Sequence, residues 1–459
     1  MSTPLPTLSD TVPASDSRRV PGLPRLLEGI PSHGAMNLAE HLAVHGPLPL
    51  TRKPKRGAEH PLIEQIERAG LRGHGGAGFP TARKLRAVAA SRRRAVVVVN
   101  AAEGEPASLK DRTLTQTLPH LVLDGAVLAA QTVGADEVIV SVCESAQASA
   151  KSVAKAIAQR GSPGRGSARI RLVTVPDRYV AGQESALVNH LNGGPALPTF
   201  TPPMPFQQGV ARRPTLVNNA ETLAHMALIA RHGPDWFREL GTSSQPGSTL
   251  VTLSGPVAYP GVYEIEYGAS LSSLIAAAGG STSRLRGVLL GGYGGSWIGE
   301  EHLHELVLSD EQLASHGASL GAGVVMLLSE DACPVAETSR VARWLAKENA
   351  GQCGPCVHGL DAIATTFEEI ASGVANVQAT ERIARLAGIV RGRGACGHPD
   401  GAVRLILSAI DTFGPELADH ARHGPCEDCQ SPAELPLPAS RPRNTSTASR
   451  ATGKPVRQR

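Results

Sequence analysis

Residues 95–99 read Ala-Val-Val-Val-Val, a continuous β-branched run with no polar interruption. A run this short and this apolar is the pattern of a strand buried on both faces. It is followed by helical apolar periodicity at 121–133, a second β-branched run at 138–142, helical periodicity at 145–159 and a third strand pattern at 170–175. Parallel strands cannot be joined by a tight turn; they need a crossover, usually a helix. The alternation therefore predicts a parallel sheet covered by helices, an α/β fold. Aromatic residues are only 3% of the chain against 41% apolar residues in all. The core must be aliphatic, and an aromatic at a motif position stands out.

The 459 residues divide by texture. Residues 1–58 are rich in Pro, Ser and Gly, with one short helical stretch at 37–44, and read as a flexible N-terminal arm. Residues 59–246 hold the α/β pattern, including helices at 181–192 and 218–231. Residues 247–330 carry short strands (249–254, 262–266), a helix at 271–278 and the pair Gly279-Gly280, the texture of a compact β-rich insert. Residues 331–430 are helical at 335–349, 359–371, 380–391 and 401–413, which suits a four-helix bundle. Residues 431–459 read as a disordered tail.

The net charge of +4 owes much to that tail, where Arg441, Arg443, Arg450, Lys454, Arg457 and Arg459 stand without an acid. A nucleic-acid binder needs its basic residues on a folded face, so nucleic acid is not expected as a partner. No apolar run approaches the roughly 20 residues that span a bilayer. Residues 1–19 lack the charged and apolar regions of a signal peptide. A cytoplasmic location is expected, and there seven cysteines point to metal or redox chemistry rather than disulfides.

Gly73-His74-Gly75-Gly76-Ala77-Gly78 fits G-x-G-x-x-G. The standard dinucleotide fingerprint needs a strand before the loop; here the preceding pattern, Leu62, Ile63, Ile66 and Ala69, is helical. The physics survives the different topology. Glycines admit a phosphate close to the backbone, and a basic helix opening at Thr81 offers free N–H groups and its positive dipole end. Asn100 to Pro106, just past the buried strand, falls at the carboxyl edge of the sheet, where open α/β folds bind ligands. Two more polar clusters, 179–185 and 214–222, exceed what helix capping alone requires.

Cys353 and Cys356 form a C-x-x-C between helices, Cys396 sits in another interhelical loop, and Cys426 and Cys429 form a second C-x-x-C. Thiolates so spaced can close on zinc or an iron–sulfur cluster. Cys143, at the end of an apolar strand, reads as a buried structural thiol. Cys333 is given the same structural reading.

These blocks, in this order, resemble the NADH-binding flavoprotein subunit of NADH–quinone oxidoreductase and of related NAD-dependent hydrogenases and formate dehydrogenases. The resemblance covers about residues 61–430. It rests on Gly70 to Thr81, on Glu103 to Pro106 with Lys110-Asp111-Arg112, on 179–187 and 214–222, and on Ser254-Gly255 with Pro260 to Glu264. It implies a Rossmann-like FMN-binding domain, a β-grasp (ubiquitin-like) insert and a four-helix iron–sulfur bundle. It also implies hydride transfer from NADH to FMN, and single electrons passed to a [4Fe–4S] cluster. Redox partners would be ferredoxin-like or quinone-linked subunits, with membrane association through those partners.

By the same resemblance, Gly73, Gly75, Gly76 and Lys84 surround the flavin phosphate and ring. Asn100, Glu103, Gly182, Gln183, Glu184, Asn218, Asn219 and Thr222 hold the isoalloxazine and ribityl parts. Phe79 and Glu105 face the nicotinamide nucleotide, and Glu105 and Glu184 are the expected catalytic carboxylates. Cys353, Cys356 and Cys396 are the expected metal ligands. The sequence departs from the family at Ala350, where the first cluster thiol falls, and at Ala102, Gln183, Ala87, Thr201 and Met204. The fourth cluster ligand is left open among Cys333, Cys426, Cys429, His358, His398 and a small molecule. The alternative functions are a flavoprotein with a donor other than NADH and a non-catalytic binding subunit.

Overall fold

Strand β1 (Ala95–Ala101) alternates its valines between two cores. Val97 and Val99 pack with Leu121, Leu223 and Ala227 on one side; Val96 and Val98 pack with Ala181, Leu187 and Val217 on the other. In the computed structural model, which describes residues 22–50, 58–91, 93–161, 168–375 and 378–438, β1 pairs in parallel with β2 (Ala135–Cys143), and β2 with β3 (Arg169–Val175). The fourth strand, β4 (Thr215–Asn219), pairs with the free edge of β1, giving the order β3-β2-β1-β4. The sequence pattern expected a helix over 218–231. That helix is present at Ala220–His232 and starts two residues later, because the strand takes Thr215–Asn219, whose β-branched Thr215 and Val217 have a parallel partner in β1.

The helices of this domain are α1 (Leu38–His45), α2 (Pro61–Ala69), α3 (Thr81–Ala89), α4 (Lys110–Thr117), α5 (Pro119–Val133), α6 (Gln147–Gln159), α7 (Glu184–Leu191), α8 (Ala220–His232) and α9 (Pro234–Arg238). The insert is a five-stranded mixed sheet. It is built from β5 (Ser248–Ser254), β6 (Gly261–Glu266), β7 (Leu285–Leu290), β8 (Ser296–Gly299) and β9 (Val324–Ser329), in the order β6-β5-β9-β7-β8. Helices α10 (Leu271–Ala277) and α11 (Asp310–Ala314) belong to it. The C-terminal bundle comprises α12 (Pro334–Lys347), α13 (Asp361–Ala371), α14 (Ala379–Val390) and α15 (His398–Thr412), and a further helix, α16 (Gly414–His423), follows it. No helix among the described residues is long and apolar enough to cross a membrane.

Two expected flexible segments are docked where they are described. In the N-terminal segment the backbone N–H groups of Arg25, Leu26 and Leu27 donate to the Glu264 carboxylate at 2.8, 2.9 and 3.1 Å. Leu26 is fully buried, and the Arg25 guanidinium lies 3.9 Å over the Trp236 ring. Helix α1 starts at an Asn37–Glu40 capping box and is held by His41 Nε2, 2.9 Å from Asp124 Oδ2. At the other end, Leu435 is buried and the N–H groups of Glu434 and Leu435 each donate at 3.1 Å to Glu337. A few anchors among polar residues suffice to tie both segments down. Residues 1–21, 51–57 and the basic stretch 441–459 lie outside the described residues.

Candidate functional site

Strand order reverses at β1: β2 and β3 run to one side of it and β4 to the other. In open parallel sheets ligands bind outside the carboxyl ends of the strands at such a switch point. The residues there are Asn100 and Asn219, which are register partners, with Val99 opposite Asn218. The glycine loop lies across them. The Cβ that Gly75 lacks would stand 3.6 Å from Asn219 Cβ, and His74 N donates to Thr222 Oγ1 at 2.9 Å. Gly76 holds φ +95°, a conformation side chains rarely adopt. Gly73 N closes the loop on Phe79 O at 2.9 Å.

Helix α3 leaves this loop with no side-chain cap. The buried Thr81 hydroxyl makes no hydrogen bond with the protein. An uncapped helix start behind a glycine loop is a ready phosphate site. Lys84, one turn on, donates to Val217 O at 2.9 Å and to Glu184 Oε1 at 3.2 Å, and both side chains of that pair keep some exposure. The Asn218 side-chain amide is buried with its Nδ2 lacking any acceptor. A buried donor left unpaired costs about 1–3 kcal/mol, so it marks a place where a ligand oxygen or ring nitrogen belongs. Phe79 is 46% exposed with Arg83 5.5 Å from its ring, an aromatic face open for stacking. A cleft of about 260 Å³ opens between this loop and the β-grasp loop, lined by Gly73, Gly76, Gly78, Lys110, Tyr267 and Gly321.

Other expected residues are engaged locally. Glu103 accepts from Ser108 Oγ at 2.5 Å and from the N–H groups of Asp111 and Arg112 at 3.2 and 3.1 Å, so it caps α4. Gln183 Oε1 caps α7 through Ala186 N at 2.9 Å. Asn100 Nδ2 donates to Gly182 O at 2.8 Å. Gly182 is there because its backbone lies against the residue that follows β1: a Cβ would sit 2.5 Å from Ala102 O. Asn219 is held from both sides, its Oδ1 capping α8 at Glu221 N (2.9 Å) and its Nδ2 donating to Asp111 Oδ2 (2.5 Å).

Behind Asn219 lies a buried charge network not assigned from the sequence. Lys110 Nζ contacts Glu221 Oε2 at 2.9 Å, Asp111 Oδ1 at 3.0 Å and Asn219 Oδ1 at 3.4 Å. Burial pushes Asp111 up despite Lys110. Burial would also raise Glu221, but Lys110, with the hydrogen bonds that Thr249 Oγ1 and Leu250 N each donate at 2.9 Å, outweighs it and holds that carboxyl at about 2. His74 and His225 are themselves kept neutral by burial, so Lys110 is the cation that counts. The motif Lys110-Asp111-Arg112 was its visible signal.

Glu105 is partly exposed, between the sheet edge and the insert. Its Oε2 accepts from Tyr293 N at 2.9 Å, and burial pushes its carboxyl up to about 7. In the bundle, burial pushes the Cys356 thiol up, and Cys353 and Cys396 beside it push it further the same way. Cys356 lies on a π-helical turn, Pro355–Leu360, a distortion frequent at functional sites. Cys333, Cys426 and Cys429 do not join them but gather around His420. Cys333 is buried, as the structural reading expects, and its neighbours are ligand-type atoms, brought from 87 and 96 residues away.

Comparison with known proteins agrees with this geometry. Residues 66–228 match the Nuo51 FMN-binding domain, 250–292 the SLBB domain, and 336–420 the NADH-ubiquinone oxidoreductase-F iron-sulfur binding region. The chain is 31% identical over 378 residues to the F 2 subunit of NADH-quinone oxidoreductase from Rhizobium meliloti (strain 1021), covering 80% of this chain and 90% of that protein. It is 31% identical over 373 residues to the corresponding F subunit from Escherichia coli (strain K12), covering 78% and 83%. A solved NAD+-reducing [NiFe]-hydrogenase in the H2-reduced state superposes with a TM-score of 0.72 at 33% identity. That match covers 79% of this chain but 63% of the hydrogenase chain.

Proposed function

The chain belongs to the family of NADH-quinone oxidoreductase F subunits, and from that premise we propose that it passes electrons from NADH through FMN to an iron–sulfur centre and on to a redox partner subunit. The observation that carries the reading is the switch point. An uncapped helix start, a glycine loop and the unpaired Asn218 amide meet there beside an exposed aromatic. FMN bound there supplies the conversion of a hydride into single electrons. Gly73, Gly75, Gly76 and the start of α3 hold its phosphate, and Lys84 adds charge. Asn218 donates through its free amide, and Asn219 is oriented by Lys110 and Asp111.

Phe79 stacks on the NADH base. Glu105, at about 7, is part neutral at physiological pH. It can donate a hydrogen bond to the nicotinamide nucleotide without placing a second anion beside the phosphates. Glu184, paired with Lys84, keeps that lysine directed at the site. Ala87 supplies no second aromatic beside α3. Losing a stacking ring costs about 0.5–1.5 kcal/mol, so NADH saturation is expected at roughly tenfold raised concentration.

Cys353, Cys356 and Cys396 hold the iron–sulfur centre, a [4Fe–4S] cluster. A cubane normally takes four protein ligands, and Ala350 supplies none. Of the two histidines left open for the fourth place, His358 is exposed and His398 is buried. His398 Nε2 lies 2.9 Å from Leu345 O, which can only accept, so the ring proton is on Nε2 and Nδ1 keeps a lone pair. That Nδ1 is buried and has no partner. The acceptor is a ferredoxin-like or quinone-linked subunit, through which the protein reaches a membrane. The test is Gly75→Val, whose side chain fills the gap to Asn219. The variant should fold, by circular dichroism, and release FMN. Full flavin occupancy in that folded variant would remove this placement.

A further inference from the structure

Three of the seven cysteines stand apart from both the flavin site and the Cys356 group, and they stand together. Cys333 Sγ lies 3.4 Å from Cys429 Sγ and 3.6 Å from His420 Nε2. Cys429 Sγ is 3.7 Å from Cys426 Sγ and 3.9 Å from the same nitrogen. All four ligand atoms lie within 4.8 Å of one another. Zinc takes sulfur at about 2.3 Å and imidazole nitrogen at about 2.0–2.1 Å in a tetrahedron, whose edges are then roughly 3.8 Å between sulfurs and roughly 3.6 Å from sulfur to nitrogen. The observed spacings match both. A disulfide would need sulfurs at about 2.05 Å. A cubane cluster binds each thiolate through a different iron, so its sulfurs stand further apart.

We propose that Cys333, His420, Cys426 and Cys429 form a closed, structural zinc site. The chain prepares each ligand. Cys333 is the N-cap of α12, and its sulfur accepts from Ala336 N at 3.4 Å, which fixes it at the start of a 14-residue helix. His420 comes from α16 and is buried. Cys426 and Cys429 face the same point from one turn, closed by Cys429 N to Cys426 O at 3.2 Å. The turn that carries Cys426 and Cys429 is held to the insert by Asp428, whose Oδ2 accepts from Arg286 at 3.2 Å. The match to the iron–sulfur region spans 336–420 and leaves three of these four ligands outside it.

The zinc ties the end of the chain to the start of the bundle. From Cys429 the backbone runs to Glu434 and Leu435, bonded to Glu337, and to Pro436, whose carbonyl accepts from Tyr293 OH at 2.5 Å. The N–H of Tyr293 donates to Glu105. The site thus holds a strap across the junction of insert and bundle, one residue removed from Glu105.

The test is metal analysis of the full chain, purified reduced and without chelator. About one zinc per chain is expected besides any iron. The double variant Cys426→Ser/Cys429→Ser should lose zinc at least roughly tenfold while keeping iron, and Cys356→Ser should lose iron while keeping zinc. Should the double variant fold poorly, His420→Cys preserves four ligands and should retain zinc. A mercurial thiol reagent on the wild-type chain should release that zinc and open residues 424–438 to protease. Zinc absent from the reduced wild-type chain, zinc retained in the double serine variant, or iron lost there in place of zinc would overturn the proposal.

Discussion

Replacing Lys110 with methionine keeps the length of the side chain and removes its charge from a site where it meets Glu221 at 2.9 Å and Asp111 at 3.0 Å. The Glu221 carboxyl is fully buried and sits at about 2 against an ordinary 4.5, which corresponds to about 3 kcal/mol of stability at neutral pH. Breaking a buried ion pair by removing one partner costs about 3–5 kcal/mol, the same size as the contribution of the Glu221 carboxylate. The pH dependence follows from the depressed value. The wild-type contribution is fully present above pH 4.5 and is lost as pH falls toward 2. In Lys110→Met the hydrogen bonds from Thr249 and Leu250 remain but the neighbouring cation is gone, so burial raises Glu221 and its charge destabilises the fold as pH rises. Urea unfolding should show a gap of about 3–5 kcal/mol at pH 7 that narrows below pH 4.5. Flavin affinity should fall too, because Lys110 and Asp111 orient Asn219. A gap under about 1 kcal/mol at pH 7, or one independent of pH, would refute this account of the network.

Three further outcomes are expected. Asp124→Ala should cost about 3–5 kcal/mol, because it leaves Arg160 and Arg231 facing each other and frees His41 on α1; chemical denaturation checks it. Gly182→Ala places a methyl group 2.5 Å from Ala102 O, so it should destabilise by about 1–3 kcal/mol and weaken FMN binding, read by flavin fluorescence. Glu105, raised from 4.5 to about 7, contributes stability that is complete below pH 4.5 and lost as pH rises through 7. Glu105→Gln should therefore gain on the wild type between pH 5 and pH 8 by about 1–2 kcal/mol, discounted for partial exposure, as measured by thermal melts.

The parallel sheet was legible because Val96 to Val99 and Val138 to Val142 are dense in β-branched residues, a local signal. Strand β4 was not, because Asn218 and Asn219 read as a helix start; only their register with β1 makes them the end of a strand. Helix α16 was missed because Gly-Pro opens it and few of its residues, Leu417 and His420, are buried. The docking of residues 22–50 depends on Glu264 and Asp124, more than 80 positions away from their partners. The residues proposed for the flavin site were legible as motifs, whereas what each of them touches was not. That Glu103 and Gln183 cap helices while Asn218 stays unpaired is decided by backbone geometry. The pairing of Cys333 with Cys429 spans 96 residues, and no local spacing reveals it.

The central claim is that NADH reduces a flavin held at the switch point of the sheet. The direct measurement is anaerobic mixing of the flavin-loaded chain with increasing NADH while the flavin absorbance is followed. The account predicts bleaching that saturates only at high NADH, with reducing equivalents then appearing at the iron–sulfur centre. No bleaching at millimolar NADH, in protein whose flavin dithionite reduces, would contradict it.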